Sequence, residues 1–305
     1  MKIMNTCRIN MHALPCRLRI HLRLLIVSLL MPASIAGCDS SAPAESWRHL
    51  RVSAIPDQDW EKVSAQHLPL VNTVCNAVKV SCSWVPVSGY GELVERIGRG
   101  EIDLAYMGGV TFVQAVNRHD VVPIAMRDID NDFTTAVVVR HEDPAHSLQD
   151  LKGRSFAFGA RLSTSGHVMP RYFMGEVGVI PERDFAKVVY SGSHSNTLAL
   201  VKSGELAAGA VNSTIAYKAI TEKNMNGGDL RIIWRTPPYP DYVWGARKAL
   251  PAALLEQLRE AFLDLNQNDP KYQIALERQS AAGYIPTFSD EFAAIKAALR
   301  QQGDL

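Results

Sequence analysis

The residues best suited to chemistry in this sequence are three consecutive hydroxyl side chains at residues 163–165 (Ser-Thr-Ser). They follow a strand-like run at residues 155–158 and precede a helical run at residues 168–177. The free N–H groups and the dipole of a helix start bind an oxyanion without a lysine, and neighbouring hydroxyls add donors. The competing explanation is ordinary N-capping, which needs only one hydroxyl. The loop therefore favours an anion site.

A second loop of this kind spans residues 190–196 and contains His194. Its ring can donate a hydrogen bond to an anion, although a lone loop histidine is also typical of a plain surface. Tyr90 and residues 107–111 lie at the corresponding strand-to-helix positions earlier in the chain. We regard these positions as further candidate contacts to a ligand.

Catalytic and metal-binding signatures are missing from the sequence. It contains no His-Glu-x-x-His, no phosphate-binding Gly-x-x-x-x-Gly-Lys-Ser/Thr and no Gly-x-Ser-x-Gly. Ser193 beside His194 leaves an exported serine hydrolase as a further alternative, since a sequence cannot place the acid of a triad. We predict no catalytic residue, no metal ligand and no cofactor.

The elements that must position these loops alternate between strand and helix patterns along the whole chain. The first series runs from a strand at residues 50–55 to a β-branched strand at residues 134–139, and it includes a strand at residues 84–87. A second series begins at residue 148, and a helical tail follows Pro251. Pro170 removes one helical N–H, so its helix kinks or starts later than the pattern suggests. This spacing predicts a mainly parallel, doubly wound α/β architecture.

The first 37 residues have the features of an export signal. They contain Lys2 and four arginines, no acid, and an apolar run at residues 24–31 that is short for a membrane span. The sequence Ile-Ala-Gly-Cys at residues 35–38 resembles a bacterial lipobox, in which Cys38 is lipidated and begins the mature protein. An ordinary signal peptide that happens to contain a cysteine is the alternative, and Met11 is a second possible start. Residues 38–47 are then a small, polar tether.

Composition narrows the class of protein further. The 305 residues carry a net charge of +1 and are 47% hydrophobic, which excludes a disordered chain and a strongly basic nucleic-acid binder. Because all the excess positive charge lies in the export signal, the remaining chain is acidic. Of the five cysteines, only Cys75 and Cys82 then remain free to pair in an oxidising compartment. We expect a disulfide between them, with two buried thiols as the alternative.

Taken together, these residues resemble the substrate-binding proteins of phosphonate, phosphite and related oxyanion ABC transporters. The resemblance covers roughly residues 48–300. Its matching segments are Ile55-Pro56-Asp57, Gly89-Tyr90, residues 100–108, residues 150–153, residues 156–159, Ser163-Thr164-Ser165-Gly166, Pro170-Arg171-Tyr172, Ser191-Gly192-Ser193-His194 and Ala210-Val211-Asn212-Ser213.

The resemblance implies a type II periplasmic binding protein: an α/β chain with two lobes and a ligand cleft between them. Lobe 1 would comprise residues 48–138 plus 242–305, and lobe 2 residues 139–241. The family's ligand contacts fall on six residues here: Ser163, Thr164 and Ser165 for the anion's oxygens, Tyr90 and His194 from the two lobes, and Asn212 at the cleft wall.

One feature departs from the family pattern. Relatives often carry acids around the Ala-Val-Asn-Ser strand, where this chain has Ala207 and Thr214. The loss of an acid would disfavour aminophosphonates and favour phosphite, phosphate, selenate or arsenate.

The function expected from this resemblance is transport rather than catalysis. We expect a monomer in the periplasm or cell envelope, anchored through Cys38, that passes a small tetrahedral oxyanion to an ABC permease. A protein of the same fold that signals to a membrane sensor kinase is the alternative, because the sequence does not distinguish the two partners.

Overall fold

The computed structural model describes residues 47–221, 229–303 and 305. The predicted export signal, Cys38 and the tether up to residue 46 lie outside the described residues. Within the described part of the chain, no helix is both long and apolar enough to cross a membrane.

Two separate β-sheets organise the chain. The six-stranded sheet has the order β11-β4-β10-β3-β1-β2. Its strands are β1 (His49–Ala54), β2 (Ser81–Trp84), β3 (Leu104–Met107), β4 (Val121–Arg127), β10 (Val243–Arg247) and β11 (Tyr284–Ile285). The five-stranded sheet has the order β7-β6-β8-β5-β9. Its strands are β5 (Thr135–Arg140), β6 (Ser155–Phe158), β7 (Lys187–Tyr190), β8 (Ala208–Asn212) and β9 (Leu230–Arg235).

Helices cover both sheets. Those that follow strands of the first sheet are α1 (Trp60–Ala77), α2 (Tyr90–Gly98) and α3 (Gly109–His119), and the tail adds α8 (Ala252–Leu263), α9 (Gln273–Gln279) and α10 (Ala293–Gln302). The second sheet is accompanied by α4 (Met169–Glu176), α5 (Pro181–Asp184), α6 (His194–Lys202) and α7 (Ser213–Thr221). Short 3-10 turns lie at Gln149–Leu151 and Ser289–Phe292, and a π-helical turn lies at Thr164–Val168.

Burial on both faces explains why β5, in the second sheet, is mostly apolar. In β5, Val137 and Val139 pack into one buried cluster, while Ala136 and Val138 pack into another. Side chains alternate between the faces of a strand, so each face of β5 meets its own layer of helices. The β-branched run that indicated a strand at residues 134–139 therefore corresponds to a central, doubly covered strand.

The prediction of a mainly parallel arrangement is wrong, because both sheets are mixed. The pairs β1–β2, β1–β3, β6–β7 and β6–β8 are parallel, whereas β10 lies antiparallel between β3 and β4, and β5 lies antiparallel between β8 and β9. The cause is the route of the chain, which leaves one sheet for the other and later returns. The spacing of elements along the sequence does not show whether a strand that returns to a sheet will be parallel or antiparallel to its neighbours.

Smaller differences have local causes. The second strand spans Ser81–Trp84 rather than residues 84–87, because Pro86 has no N–H to donate to a ladder. The chain crosses to the second sheet between Arg127 and Thr135, so the predicted lobe boundary at residue 138 falls inside β5. It crosses back between Arg235 and Val243, a segment that contains the predicted boundary at 241/242.

A disulfide joins Cys75, near the end of α1, to Cys82 in β2, with the two Cα atoms 6.2 Å apart. Because the bridge closes a short loop, it limits the freedom of the unfolded chain only moderately.

We expect the double variant Cys75→Ala/Cys82→Ala to lose about 2 kcal/mol of unfolding free energy, the size that loop-closure entropy gives for so short a loop. Denaturant titration of the exported protein, with and without reductant, measures this loss. The matching chemical test is thiol titration of the denatured, unreduced protein. Two reactive thiols in that assay would contradict the disulfide.

Candidate functional site

The candidate site forms where strand ends of the two sheets face each other. Parallel strands bring their carboxyl ends to one edge of a sheet, and ligands of such folds bind beyond that edge. Asp57 follows β1, Gly108 follows β3, and residues 163–165 follow β6. The antiparallel strands add their amino ends to the same edges: Val243 of β10 pairs with Met107, and Thr135 of β5 pairs with Asn212.

The loop after β6 is held in place by close backbone contacts. The Ser163 hydroxyl accepts a hydrogen bond from the Gly166 amide at 2.9 Å, and the Gly159 amide donates to the Gly166 carbonyl at 2.8 Å. A Cβ on Gly166 would lie 2.8 Å from the Ser163 hydroxyl and 3.2 Å from both the Gly159 Cα and the His194 Cε1. Only glycine fits here, so the chain turns tightly around the three hydroxyls.

The α-helix that contains Pro170 starts at residue 169 instead of 168, later than the sequence pattern suggests. Pro170 lies in the first turn of α4, which begins at Met169 directly after the π-helical turn. An N–H at residue 170 would normally bond a carbonyl four or five residues earlier, at Gly166 or Ser165. Those carbonyls instead accept from the Gly159 amide and from the Thr135 hydroxyl, the latter at 2.8 Å. The proline thus leaves free two acceptors that anchor the loop to β6 and β5.

Thr164 connects this loop to the first sheet. Its hydroxyl accepts from the Val110 amide at 3.0 Å, within the first turn of α3. Tyr90, the first residue of α2, has the Ser163 hydroxyl within hydrogen-bonding reach. Burial raises the pKa of Tyr90 well above its usual value, and the carboxylate of Asp57 raises it further, so the phenol stays protonated. Tyr90 and the hydroxyls of residues 163–165 are therefore brought together.

Asp241 lies at the centre of the site, although it belongs to none of the sequence motifs described above. Its side chain is fully buried, and its Oδ1 accepts a hydrogen bond from the Gly109 amide at 2.9 Å. Oδ2 has no hydrogen-bond partner among the described residues, although the hydroxyls of Thr164 and Ser165 lie close by. Burial raises the pKa of Asp241 to about 7, against the lowering effect of these donors.

His194 is buried at the start of α6. Its main-chain N–H donates to the main-chain carbonyl of Asp57 at 2.8 Å. Its ring Nδ1 accepts from the main-chain N–H of Asn212 at 3.4 Å. Burial lowers the pKa of His194 to about 4, so the ring is neutral at physiological pH. Since Nδ1 is the acceptor, the proton is on Nε2, which is buried and has no partner within the described part of the chain.

The side chain of Asn212 is hydrogen-bonded to other groups of the protein. Its Oδ1 caps α7 by accepting from the amides of Thr214 at 2.8 Å and Ile215 at 3.2 Å. Its Nδ2 donates to the Tyr242 hydroxyl at 3.0 Å, and this hydroxyl donates to Asp57 Oδ2 at 2.9 Å. Burial raises the pKa of Asp57 to about 6, although the Tyr242 hydroxyl lowers it in part.

No acid stands at residues 207 and 214 beside the Ala-Val-Asn-Ser strand, but two acids reach the site from other segments of the chain. Asp57 and Asp241 lie there, supplied by the end of β1 and by the segment before β10, while Ala207 and Thr214 occupy the positions considered earlier. Asp57 lies in the Ile55-Pro56-Asp57 segment of the family resemblance, but no feature of the sequence indicated that it contacts a ligand. The only sequence signal for Asp241 was an acid immediately before a strand, and its relevance depends on the direction of β10.

The arrangement is suited to binding rather than to catalysis. The Ser193 hydroxyl accepts from the Asn196 amide as the N-cap of α6, so it has an ordinary structural role. Among the residues described, no group of three or more histidine, cysteine or acidic side chains could hold a metal ion.

Comparison with known proteins decides the class. A profile of the family described as "ABC transporter, phosphonate, periplasmic substrate-binding protein" matches residues 52–292. The chain belongs to this family. It is a periplasmic substrate-binding protein of the phosphonate ABC transporter class, not an enzyme, and this confirms the family predicted from the sequence.

Several relatives of this substrate-binding protein are informative. The probable ABC transporter phosphite binding protein PhnD1 of Prochlorococcus marinus is 30% identical over 255 residues, which cover 80% of this chain and 86% of that protein. The phosphate-import protein PhnD of Mycolicibacterium smegmatis is 24% identical over 249 residues, with coverages of 76% and 78%.

The fold is confirmed by a solved structure of PhnD1 from Prochlorococcus marinus in complex with methylphosphonate. It matches with a TM-score of 0.80 at 29% identity and covers 85% of this chain and 99% of that one. The two-sheet architecture of this substrate-binding protein is the type II periplasmic binding fold.

The glycine contact in the loop after β6 gives a stability test. We expect Gly166→Ala to lower the unfolding free energy by about 1–3 kcal/mol, because the new Cβ meets backbone and a fixed ring. Gly175→Ala, in α4 of the same lobe, is the matched control: its Cβ would meet open space. Alanine is the better helix former, so we expect this control to gain about 0.5–1 kcal/mol. Equal stability of the two variants in urea titration would contradict the packing described here.

Proposed function

We propose that this protein captures a small tetrahedral oxyanion that retains a proton, and delivers it to an ABC permease while lipidated Cys38 holds it at the membrane. The observation that carries this proposal is a pair of buried atoms without a hydrogen-bond partner among the described residues. Both belong to residues that adjoin the loop after β6. His194 Nε2 is a donor, and Asp241 Oδ2 is an acceptor. Buried polar atoms are nearly always hydrogen-bonded, and a ligand that both accepts and donates would satisfy the two together.

The donors at the site are neutral. They are hydroxyls of residues 163–165, the Tyr90 phenol and the His194 ring, all of them buried. Hydrogen bonds to an ion are strong in a site without water, so an anion can be held here without a dedicated cation. The net negative charge of the chain after residue 37 then does not prevent anion binding, because the groups at the site recognise the anion locally.

Asp241 restricts which anions fit. An ionised carboxylate repels a fully deprotonated anion, but it accepts a hydrogen bond from an anion that still carries a P–OH or As–OH group. Phosphite, methylphosphonate, phosphate and arsenate keep such a proton near neutral pH, whereas sulfate and selenate do not. The names of the relatives, which refer to phosphite, methylphosphonate and phosphate, support the phosphorus members of this group.

The two lobes would close around the ligand. Residues predicted to belong to lobe 1 supply Tyr90, and residues predicted to belong to lobe 2 supply Ser163 and His194. Contacts from both lobes exist together only when the cleft is closed, so ligand binding favours that state. We propose that the closed monomer is the form that the permease receives.

Calorimetry against a panel of anions tests the ligand class. We expect binding of phosphite and methylphosphonate and at least tenfold weaker binding of sulfate and selenate, because only the first two offer a proton to Asp241. Ser165→Ala should weaken phosphite binding by roughly 1–3 kcal/mol through the loss of one donor to a charged group. Failure to bind any member of the panel would contradict the proposed function.

Asp241 also predicts a pH dependence. Its pKa of about 7 means that the carboxyl is protonated below pH 7 and ionised above it. We expect phosphite affinity to fall as the pH rises from 6 to 9, because both partners lose the proton that they would share. Asp241→Asn keeps an acceptor for the Gly109 amide and removes the charge, so it should flatten this decline and reduce the preference for phosphite over sulfate at least tenfold. Asp59→Asn, at a half-exposed acid that directly precedes α1, is the control. If Asp241→Asn kept the wild-type preference for phosphite over sulfate, that result would exclude Asp241 as the acceptor of the ligand's proton.

Lipidation of Cys38 is tested by labelling with a fatty-acid analogue in a bacterial host. We expect the wild type to be labelled and to sediment with membranes, and Cys38→Ser to be unlabelled and released. Cys75→Ala is the control for any general effect of losing a cysteine. Membrane association that persists without label in Cys38→Ser would contradict a lipid anchor.

A further inference from the structure

A cavity among the described residues lies beside the anion site, not in it. It has a volume of about 600 Å³ and opens between the two lobes. Side chains of Lys62, Gln66 and Arg278 line it from the first lobe, and those of Asn196, Lys202 and Lys218 from the second. None of Tyr90, residues 163–165, His194 or Asp241 lines it.

Three residues line this cavity and also adjoin the anion site: Asp57, Asn212 and Tyr242. The Tyr242 hydroxyl joins the other two, donating to Asp57 Oδ2 at 2.9 Å and accepting from Asn212 Nδ2 at 3.0 Å. On the other side, the backbone of Asp57 and of Asn212 is hydrogen-bonded to His194. The three residues therefore form a partition between the cavity and the anion compartment.

The partition is rigid because the Tyr242 ring is packed on several sides. The ring stacks on Tyr106 with the centroids 5.1 Å apart and meets Phe133 edge-on at 5.4 Å. The Arg127 guanidinium lies 5.4 Å from the ring centroid. Only 2% of the residue is exposed, so a ligand cannot move the ring aside without disrupting these contacts.

We propose that Tyr242, held by Asp57 and Asn212, determines specificity by closing the anion compartment against the large cavity. We expect a bare oxyanion, or one with a single methyl group, to fit behind the partition. A phosphonate with a longer substituent has to displace the Tyr242 ring to reach the space that would accommodate it. This inference rests on the proposed oxyanion site and adds an upper limit on the size of the ligand.

A series of phosphonates in the wild type provides the first test. We expect affinity to fall at least tenfold from methylphosphonate to butylphosphonate, and phenylphosphonate to bind no better than butylphosphonate. Tight binding of phosphite with equal affinities across the series would overturn the partition and leave the proposed function intact. No binding of phosphite or of any phosphonate would overturn the proposed function and, with it, the partition.

Two substitutions separate the ring from its hydroxyl. Tyr242→Ala opens the partition, so we expect butylphosphonate to gain at least tenfold relative to methylphosphonate. Tyr242→Phe keeps the ring and should retain the wild-type ratio, even where phosphite binds more weakly. Tyr239→Ala removes a buried aromatic residue that does not line the cavity, and it should also keep that ratio.

The outcomes are decided by the ratio of affinities rather than by any single affinity. A folded Tyr242→Ala that binds phosphite but still excludes butylphosphonate would overturn the proposal, as would a gain of the same size in Tyr239→Ala. Where Tyr242→Ala does not fold, the wild-type series decides alone: a steep decline supports the partition, and a flat one overturns it.

Discussion

The hydrogen bond from the Gly109 amide to the buried carboxyl of Asp241 is the interaction on which the candidate site depends. It exists because β10 returns antiparallel to β3, so that the residue before one strand meets the residues after the other. This bond fixes one carboxyl oxygen and leaves the second without a partner, close to Thr164 and Ser165. A buried acid held in this way is costly in its ionised form, which is why its pKa lies near neutrality.

The electrostatic character of the site follows from that constraint. With a carboxyl at its centre, the compartment cannot attract an anion through charge. The neighbouring groups are neutral instead: a phenol, hydroxyls and an imidazole whose proton is on Nε2. The resulting arrangement combines many donors with one acceptor, which matches an oxyanion that keeps one proton. Such a site distinguishes anions by protonation state as well as by shape.

The same groups hold the two halves of the molecule together. The bonds from Val110 to Thr164, from His194 to Asp57 and from Asn212 to Tyr242 each join a residue near the first sheet to one near the second. In the proposed function, binding and closure therefore use neighbouring atoms. The Tyr242 hydroxyl bridges the lobes, and we propose that its ring bounds the compartment. A protein that must recognise its ligand only when closed gains from placing these contacts side by side.

The sequence by itself determined the class of the fold, the family and most of the elements, because apolar periodicity and local turn chemistry act over a few residues. It also indicated the loop at residues 163–165 and His194, since hydroxyls and a ring at strand ends are local features. Only the tertiary structure decided the rest. Asp241 and Tyr242 precede a strand whose direction is set by the return of the chain to the first sheet, and Asn212 is engaged by partners distant in sequence. Burial, protonation and the partition beside the cavity depend on which segments meet in space, and no spacing along the chain contains that information.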